Sequence, residues 1–231
     1  VKPYISTAEP AGSAPALARI VPFALYLVFI FIADVLSRMG YGAQETRWLY
    51  GVKILAVSAA LALYWRHYAE LAWQGMRASM LAASAAVGVA VFVLWISLDA
   101  GWMQIGSAAG FDPRAANGAM NWPLVALRMA GAALVVPVME ELFWRSFLLR
   151  WLHSPDFLAV RAAAVSLKAL VITVVLFGFE HNLWLAGMVA GLAYGLLYMR
   201  SGNLWTAIVA HGVTNGVLGA WIVVTGNWHY W

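Results

Sequence analysis

Three short stretches near the C-terminal end combine acid, imidazole and amide side chains at helical spacing, each within otherwise apolar sequence. Glu140-Glu141-Leu142-Phe143-Trp144-Arg145 closes one long apolar run, and Phe177-Gly178-Phe179-Glu180-His181 closes another. His211-Gly212-Val213-Thr214-Asn215 lies well inside the last run. Ionisable groups in a bilayer cost roughly 2.5–3.5 kcal/mol at a helix centre on insertion scales, so their retention calls for an explanation. Glu141 and Arg145 stand at i and i+4 and can pair on one helix face. Glu140 points about 100° away and stays available as a base, although charges at a helix end can also be merely solvated. Phe177 and His181 share a face, while Glu180, next to His181, is expected to point elsewhere. A lone histidine here would ordinarily be a structural hydrogen-bonding residue. His211 and Asn215, again i and i+4, set two hydrogen-bonding groups side by side, which in lipid also serves as interhelical glue. Taken together the three stretches contain the parts of a hydrolytic site: a base, an imidazole to hold water and a pair to bind an oxyanion. No intramembrane serine or threonine is comparably placed beside a histidine and an acid, which disfavours a serine mechanism.

The elements that carry these groups follow from composition. Of 231 residues 64% are hydrophobic and 10% charged, against about 25% charged in soluble domains. Apolar runs long enough to span a bilayer fall at about 17–36, 48–65, 79–98, 122–140, 163–180, 182–199 and 203–225. The expected fold is an all-α polytopic bundle of seven to eight membrane helices, with the site within the C-terminal four. Three segments are expected: a flexible leader over 1–16, rich in proline; N-terminal membrane helices over 17–121; and catalytic membrane helices over 122–231. The 99–121 connection, with its glycines and Asp112-Pro113, reads as a loop with room for a short interfacial helix. Gly187, Gly191 and Gly195 recur every four residues and favour close helix packing. Many of the thirteen tryptophans sit near span ends as an aromatic belt.

With a cytoplasmic N-terminus, the inner side receives Lys2, Arg19, Arg66, Arg77, Arg145, Arg150, Arg161 and Arg200, and the outer side Arg38, Arg47 and Arg114. That imbalance favours the N-terminus inside. The basic residues form no cluster that would track a nucleic acid backbone, so no nucleic-acid partner is expected. There are no cysteines, which excludes disulfides, thiol nucleophiles and Cys-type zinc sites. The first apolar stretch, Leu17 to Leu36, is too long for a signal-peptide core and has no small-x-small site after it. Lys53, Arg128 and Lys168 are single charges placed to snorkel or pair. Asp34 and Asp99 lie near span boundaries, and His67, His153 and His229 read as solvated.

The EExxxR, FxxxH and HxxxN elements, in that order on separate apolar helices, resemble the CPBP family of intramembrane proteases. That family includes type II CAAX prenyl endopeptidases and bacterial abortive-infection and bacteriocin-processing proteins. The stretch from Gly191 through Trp205 to His211 is similar to the family's link between its second and third motifs. The resemblance covers about residues 122–220; one departure is Ser146, where many members carry glycine. It implies a glutamate-dependent hydrolysis without cofactor or metal. Glu140 and His181 would activate water, and His211 and Asn215 would stabilise the oxyanion. Glu141 and Arg145 would fix the helix, with Phe177 in support. The implied partners are the bilayer and a membrane-associated peptide or protein, prenylated at a CAAX end or not; residence in a prokaryotic inner membrane is expected from the compact chain, and nothing in the sequence sets an oligomeric state. Two rival readings stay open: a zinc protease with Glu140, His181 and His211 as ligands, though without HExxH spacing, and a non-enzymatic transporter or scaffold. A plain seven-span drawing also puts Glu140 and His181 at opposite membrane faces. Short or tilted fifth and sixth helices, with the turn near 180–184 inside the protein, would bring them together.

Overall fold

The computed structural model describes residues 13–106 and 110–231. Residues 1–12 of the expected leader and 107–109 of the expected 99–121 loop lie outside the described residues. Seven long helices follow one another: α1 (Ser13–Arg38), α2 (Ala43–Leu63), α3 (Ala78–Ser97), α4 (Trp122–Trp151), α5 (Leu167–Phe179), α6 (Trp184–Ser201) and α7 (Leu204–Thr225). Each corresponds to one of the seven apolar runs. Helices α1 to α4 and α7 are long and apolar enough to cross a membrane, and α5 is a shorter apolar helix. The chain is an integral membrane protein built as a helical bundle.

Local signals set the helix ends. The Asn121 side chain accepts from the Leu124 amide at 3.2 Å and caps α4; Ser166 does the same for α5 through the Ala169 amide at 3.3 Å. Gly202, at φ +67, ends α6 in the left-handed region that glycine tolerates. Asn203 then caps α7 by accepting from the Trp205 amide at 3.0 Å.

Two sequence expectations change. Helix α1 starts at Ser13, so the last residues of the expected flexible leader are helical. Helix α4 does not stop at Glu140: it continues to Trp151, and Glu140 and Glu141 are buried in its interior. An apolar-run criterion ends at the first charges, but here the protein neutralises them internally, so the helix runs on. Several arginines expected to set topology from loops are buried for the same reason. Arg19 is 1% exposed and grips Glu70 with two parallel bonds, Nε to Oε1 at 2.8 Å and Nη2 to Oε2 at 2.7 Å. Ser146 joins this network. Its hydroxyl bonds Glu70, accepts from Arg19 Nε at 3.0 Å and accepts from Arg150 Nη2 at 2.7 Å. A glycine at this position would have no hydroxyl to offer. The cluster ties α1, the α2–α3 connection and α4 together at one end of the bundle.

Small residues let the helices approach. A Cβ on Gly187 would lie 3.0 Å from the Gly178 Cα, and one on Gly191 3.1 Å from the Phe177 ring, so the glycine stripe of α6 seats α5. Gly88 of α3 serves the same purpose against α7, where a Cβ would run into the Ala210 carbonyl and the Val213 side chain.

Removing one partner of a buried ion pair strands the other, at about 3–5 kcal/mol. Glu70→Ala, which leaves Arg19 and Arg150 without their carboxylate, is therefore expected to lower the thermal unfolding midpoint in detergent by several degrees. An unchanged midpoint would show that the cluster contributes nothing to stability.

Candidate active site

Helix geometry explains why Glu140 and His181 meet. Glu140 lies eleven residues before the end of α4, about 17 Å above it at 1.5 Å per residue. Helix α5 starts from that same end of the bundle and has only 13 residues, about 20 Å. His181, two residues past α5, thus arrives at nearly the depth of Glu140. A 20-residue α5 would have carried it past.

Helix α4 is widened twice by π-type turns, at Gly131–Val135 and Leu142–Leu148, on either side of the glutamates. Such bulges are frequent at functional sites. Pro137 has no amide hydrogen, so a carbonyl one turn upstream loses its helical donor. The Asn215 amide nitrogen of α7 donates to Ala132 O at 2.9 Å. A second hydrogen on the same nitrogen remains for another acceptor.

Glu141, fully buried, receives Arg145 Nη1 at 3.0 Å and His211 Nδ1 at 2.9 Å, both on Oε1. The expected Glu141–Arg145 pair is present, and His211 is its third member. Arg145 also lies over the Phe177 ring, its guanidinium carbon 4.3 Å from the centroid, and donates to Gly191 O at 3.3 Å. With Nδ1 directed at the carboxylate, the His211 Nε2 faces Glu140, 4.0 Å from Oε2. That Glu140 oxygen is buried and has no hydrogen-bond partner within the described protein.

The His181 Nδ1 contacts the Phe177 carbonyl at 2.8 Å. A carbonyl only accepts, so Nδ1 carries the hydrogen and Nε2 presents a lone pair. The imidazole is held edge-on to Trp95, 5.3 Å between centroids.

Glu140, His181, His211, Asn215 and Phe177 line one cavity of about 200 Å³, several times the roughly 30 Å³ share of a water molecule. Glu141 and Arg145 stand behind His211 rather than in the cavity wall. A second cavity, walled by Asp99, Gln104, Asn182 and His229, shares Trp95, His181, Tyr230 and Trp231 with the first. The site therefore opens toward the end of the bundle formed by residues 99–106 and 226–231.

Two residues add to the sequence reading. Glu180, expected to point elsewhere than His181, is absent from the cavity lining; its Oε2 accepts from Trp144 Nε1 at 2.9 Å. Tyr194 of α6, unremarked in the sequence, stacks on His211 with centroids 5.1 Å apart and planes at 17°. Its hydroxyl donates to Thr214 Oγ1 at 2.7 Å. A weak signal existed: Gly191, Tyr194 and Gly195 share the α6 stripe that faces the site. Among the described residues no three His, Cys, Asp or Glu side chains converge closely enough to hold a metal ion.

Residues 121–217 match the family model described as Type II CAAX prenyl endopeptidase Rce1-like. The matched segment runs from the cap of α4 into α7 and contains every residue named above from Glu140 to Asn215, which is the stretch that carries the sequence resemblance. It supports an intramembrane protease that acts on a peptide or protein substrate in the membrane. No curated protein and no solved structure matches the chain.

Tyr194 separates two contributions to the seating of His211. Tyr194→Phe keeps the stacked ring and loses one neutral hydrogen bond, about 1 kcal/mol. Tyr194→Ala removes the ring and leaves a cavity, about 3–5 kcal/mol. Thermal melts in detergent are expected to rank wild type, Phe and Ala in that order with the larger gap at Ala. Equal losses would mean that the hydroxyl, not the ring, holds the histidine.

Proposed function

We propose that the chain is a glutamate-dependent intramembrane endopeptidase. The observation that carries this reading is the unpartnered Glu140 oxygen, facing a cavity shared with His181, His211 and Asn215. Glu140 and the His181 Nε2 lone pair hold a water between them. Glu140 takes its proton as the water oxygen bonds to the scissile carbonyl carbon. The negative charge that develops on the carbonyl oxygen is met by His211 Nε2–H and the free hydrogen of the Asn215 amide. Glu141 stabilises the His211 imidazolium that such donation requires, and Arg145 keeps Glu141 in place. Collapse of the tetrahedral intermediate breaks the C–N bond, and the proton held by Glu140 passes to the leaving amine.

The substrate class follows the family: a membrane-associated peptide or protein, with a prenylated CAAX-type end as the first candidate. The zinc reading has no specific observation in its favour, and the transporter reading predicts flux without cleavage. In this proposal residues 122–231 form the catalytic unit and the preceding helices support it, in the inner membrane of a prokaryote.

General-base help is typically worth about 10²–10⁴ in rate and one oxyanion donor about 10²–10³. In a fluorogenic prenylated-peptide assay with purified protein, Glu140→Gln is expected to lose about 10²–10⁴ in kcat. Asn215→Ala should lose about 10²–10³. Wild-type cleavage is expected to survive EDTA and phenanthroline. Retained activity in Glu140→Gln would sink the mechanism, and loss on chelation would move the argument to a metal.

The proposed topology keeps the N-terminus in the cytoplasm. With Arg19, Arg145 and Arg150 buried, the bias rests on Lys2, Arg66, Arg77, Arg161 and Arg200 against Arg38, Arg47 and Arg114. The site then opens toward the outer face. Because the chain has no cysteine, single cysteines test this directly. An impermeant maleimide on intact cells is expected to label Ala116→Cys and spare Ala72→Cys; the reverse pattern would invert the topology.

A further inference from the structure

Two cations with no role in the proposed hydrolysis, Lys53 buried and Arg128 half-buried, lie against aromatic rings without a counter-ion among the described residues. Lys53 is 9% exposed, its Nζ 3.9 Å from the Tyr26 ring centroid and 5.1 Å from that of Tyr50. The Arg128 guanidinium carbon lies 4.3 Å from the same Tyr50 centroid and 5.0 Å from that of Phe111. Arg128 Nε is buried with no hydrogen-bond partner. Among the described residues neither cation forms an ion pair. Aromatic faces attract cations, but they do not cancel a full charge.

Both side chains line a groove of about 510 Å³ between α1, α2 and α4. Acids on its wall are committed elsewhere: Asp34 to Arg38 at 2.8 Å, and Asp112 to Arg114 at 2.6 Å. In the loop, the hydrogen bond from Arg114 holds the Asp112 carboxyl below its usual range, so this acid stays charged and paired. The opposite wall is apolar and faces the bilayer, with Ile30 46% exposed. Depth also matters. Lys53 stands five residues beyond the exposed Trp48, and Arg128 six beyond the exposed Trp122. At 1.5 Å per residue this is roughly 8–9 Å beneath the tryptophan belt, just under the headgroup layer, within reach of side chains that extend upward.

We propose that Lys53 and Arg128 form a binding site for the phosphate of an anionic phospholipid, whose acyl chains lie along Phe29 and Ile30 of α1. Arg128 keeps its charge at any depth and offers several donors to phosphate oxygens. Tyr50 and Arg128 also line the cavity that holds Glu140, so the lipid site would border that cavity. The site does not depend on the proposed hydrolysis, because lipid binding can be read in protein that cleaves nothing.

The test is native mass spectrometry of the delipidated full chain, titrated with phosphatidylglycerol or with phosphatidylcholine of the same acyl chains. Wild type is expected to retain phosphatidylglycerol preferentially, by on the order of tenfold. The Lys53→Met/Arg128→Met double variant is expected to lose that preference while keeping a cooperative thermal melt. Arg128→Lys, which keeps the charge, is expected to retain part of it, so a folding failure in the double variant leaves the question answerable. Equal retention of the two lipids, or undiminished preference in a folded double variant, would overturn the proposal. So would displacement by millimolar inorganic phosphate, which would mark a free-anion site. Displacement by a peptide free acid but not by its amide would assign the cations to a peptide carboxylate instead.

Discussion

The Glu141 carboxylate is the point at which two helices meet through charge: Oε1 takes two partners, while Oε2, like the Glu140 Oε2, is buried without a partner among the described residues. It is fully buried in the middle of α4, yet a single oxygen receives both Arg145 from its own helix and His211 from α7. An isolated carboxylate at that depth would be costly enough to take up a proton. With an arginine and an imidazole on it, three side chains are locked in one geometry. That lock has a directional consequence: by occupying His211 Nδ1, it turns Nε2 toward Glu140. The neighbouring glutamate then has no protein partner for its buried oxygen, and the cavity is where such a partner must come from.

Around this lock, backbone irregularity and helix length do the positioning. The π-type turns on either side of the two glutamates widen α4, and Pro137 withholds a donor that Asn215 supplies from α7. The same contact that satisfies the backbone thus draws Asn215 into the cavity wall. Helix α5 is short, which stops His181 at the depth of Glu140 instead of at the far membrane face. The glycines of α6 let α5 come close enough for the Phe177 ring to cover Arg145.

The N-terminal helices supply support of a different kind. The Arg19–Glu70 pair, with Ser146 and Arg150, fastens α1 and the α2–α3 connection to the continuation of α4 beyond the glutamates. Charges that terminate an apolar run in the sequence are, in the fold, internal fasteners. A span-by-span reading takes Arg19 and Arg150 for loop charges because hydropathy carries no information about Glu70, fifty or more residues away from each.

What the sequence determined by itself was whatever depends on local composition and short spacing. Seven apolar runs correspond to seven helices, since a bilayer demands that backbone polar groups be satisfied within each segment. Spacing of i and i+4 sufficed to pair Glu141 with Arg145 and to align Phe177 with His181, because one helix turn brings those positions onto one face. The glycine stripe of α6 was legible for the same reason. Only the tertiary structure decided the rest. It carried α4 past Glu140, gave His211 to Glu141, found Trp144 as the partner of Glu180, and stacked Tyr194 on the imidazole. Each of these joins side chains from different helices, or sets the depth at which helices meet. Such contacts follow from helix length, crossing and packing, and no local pattern of residues records them.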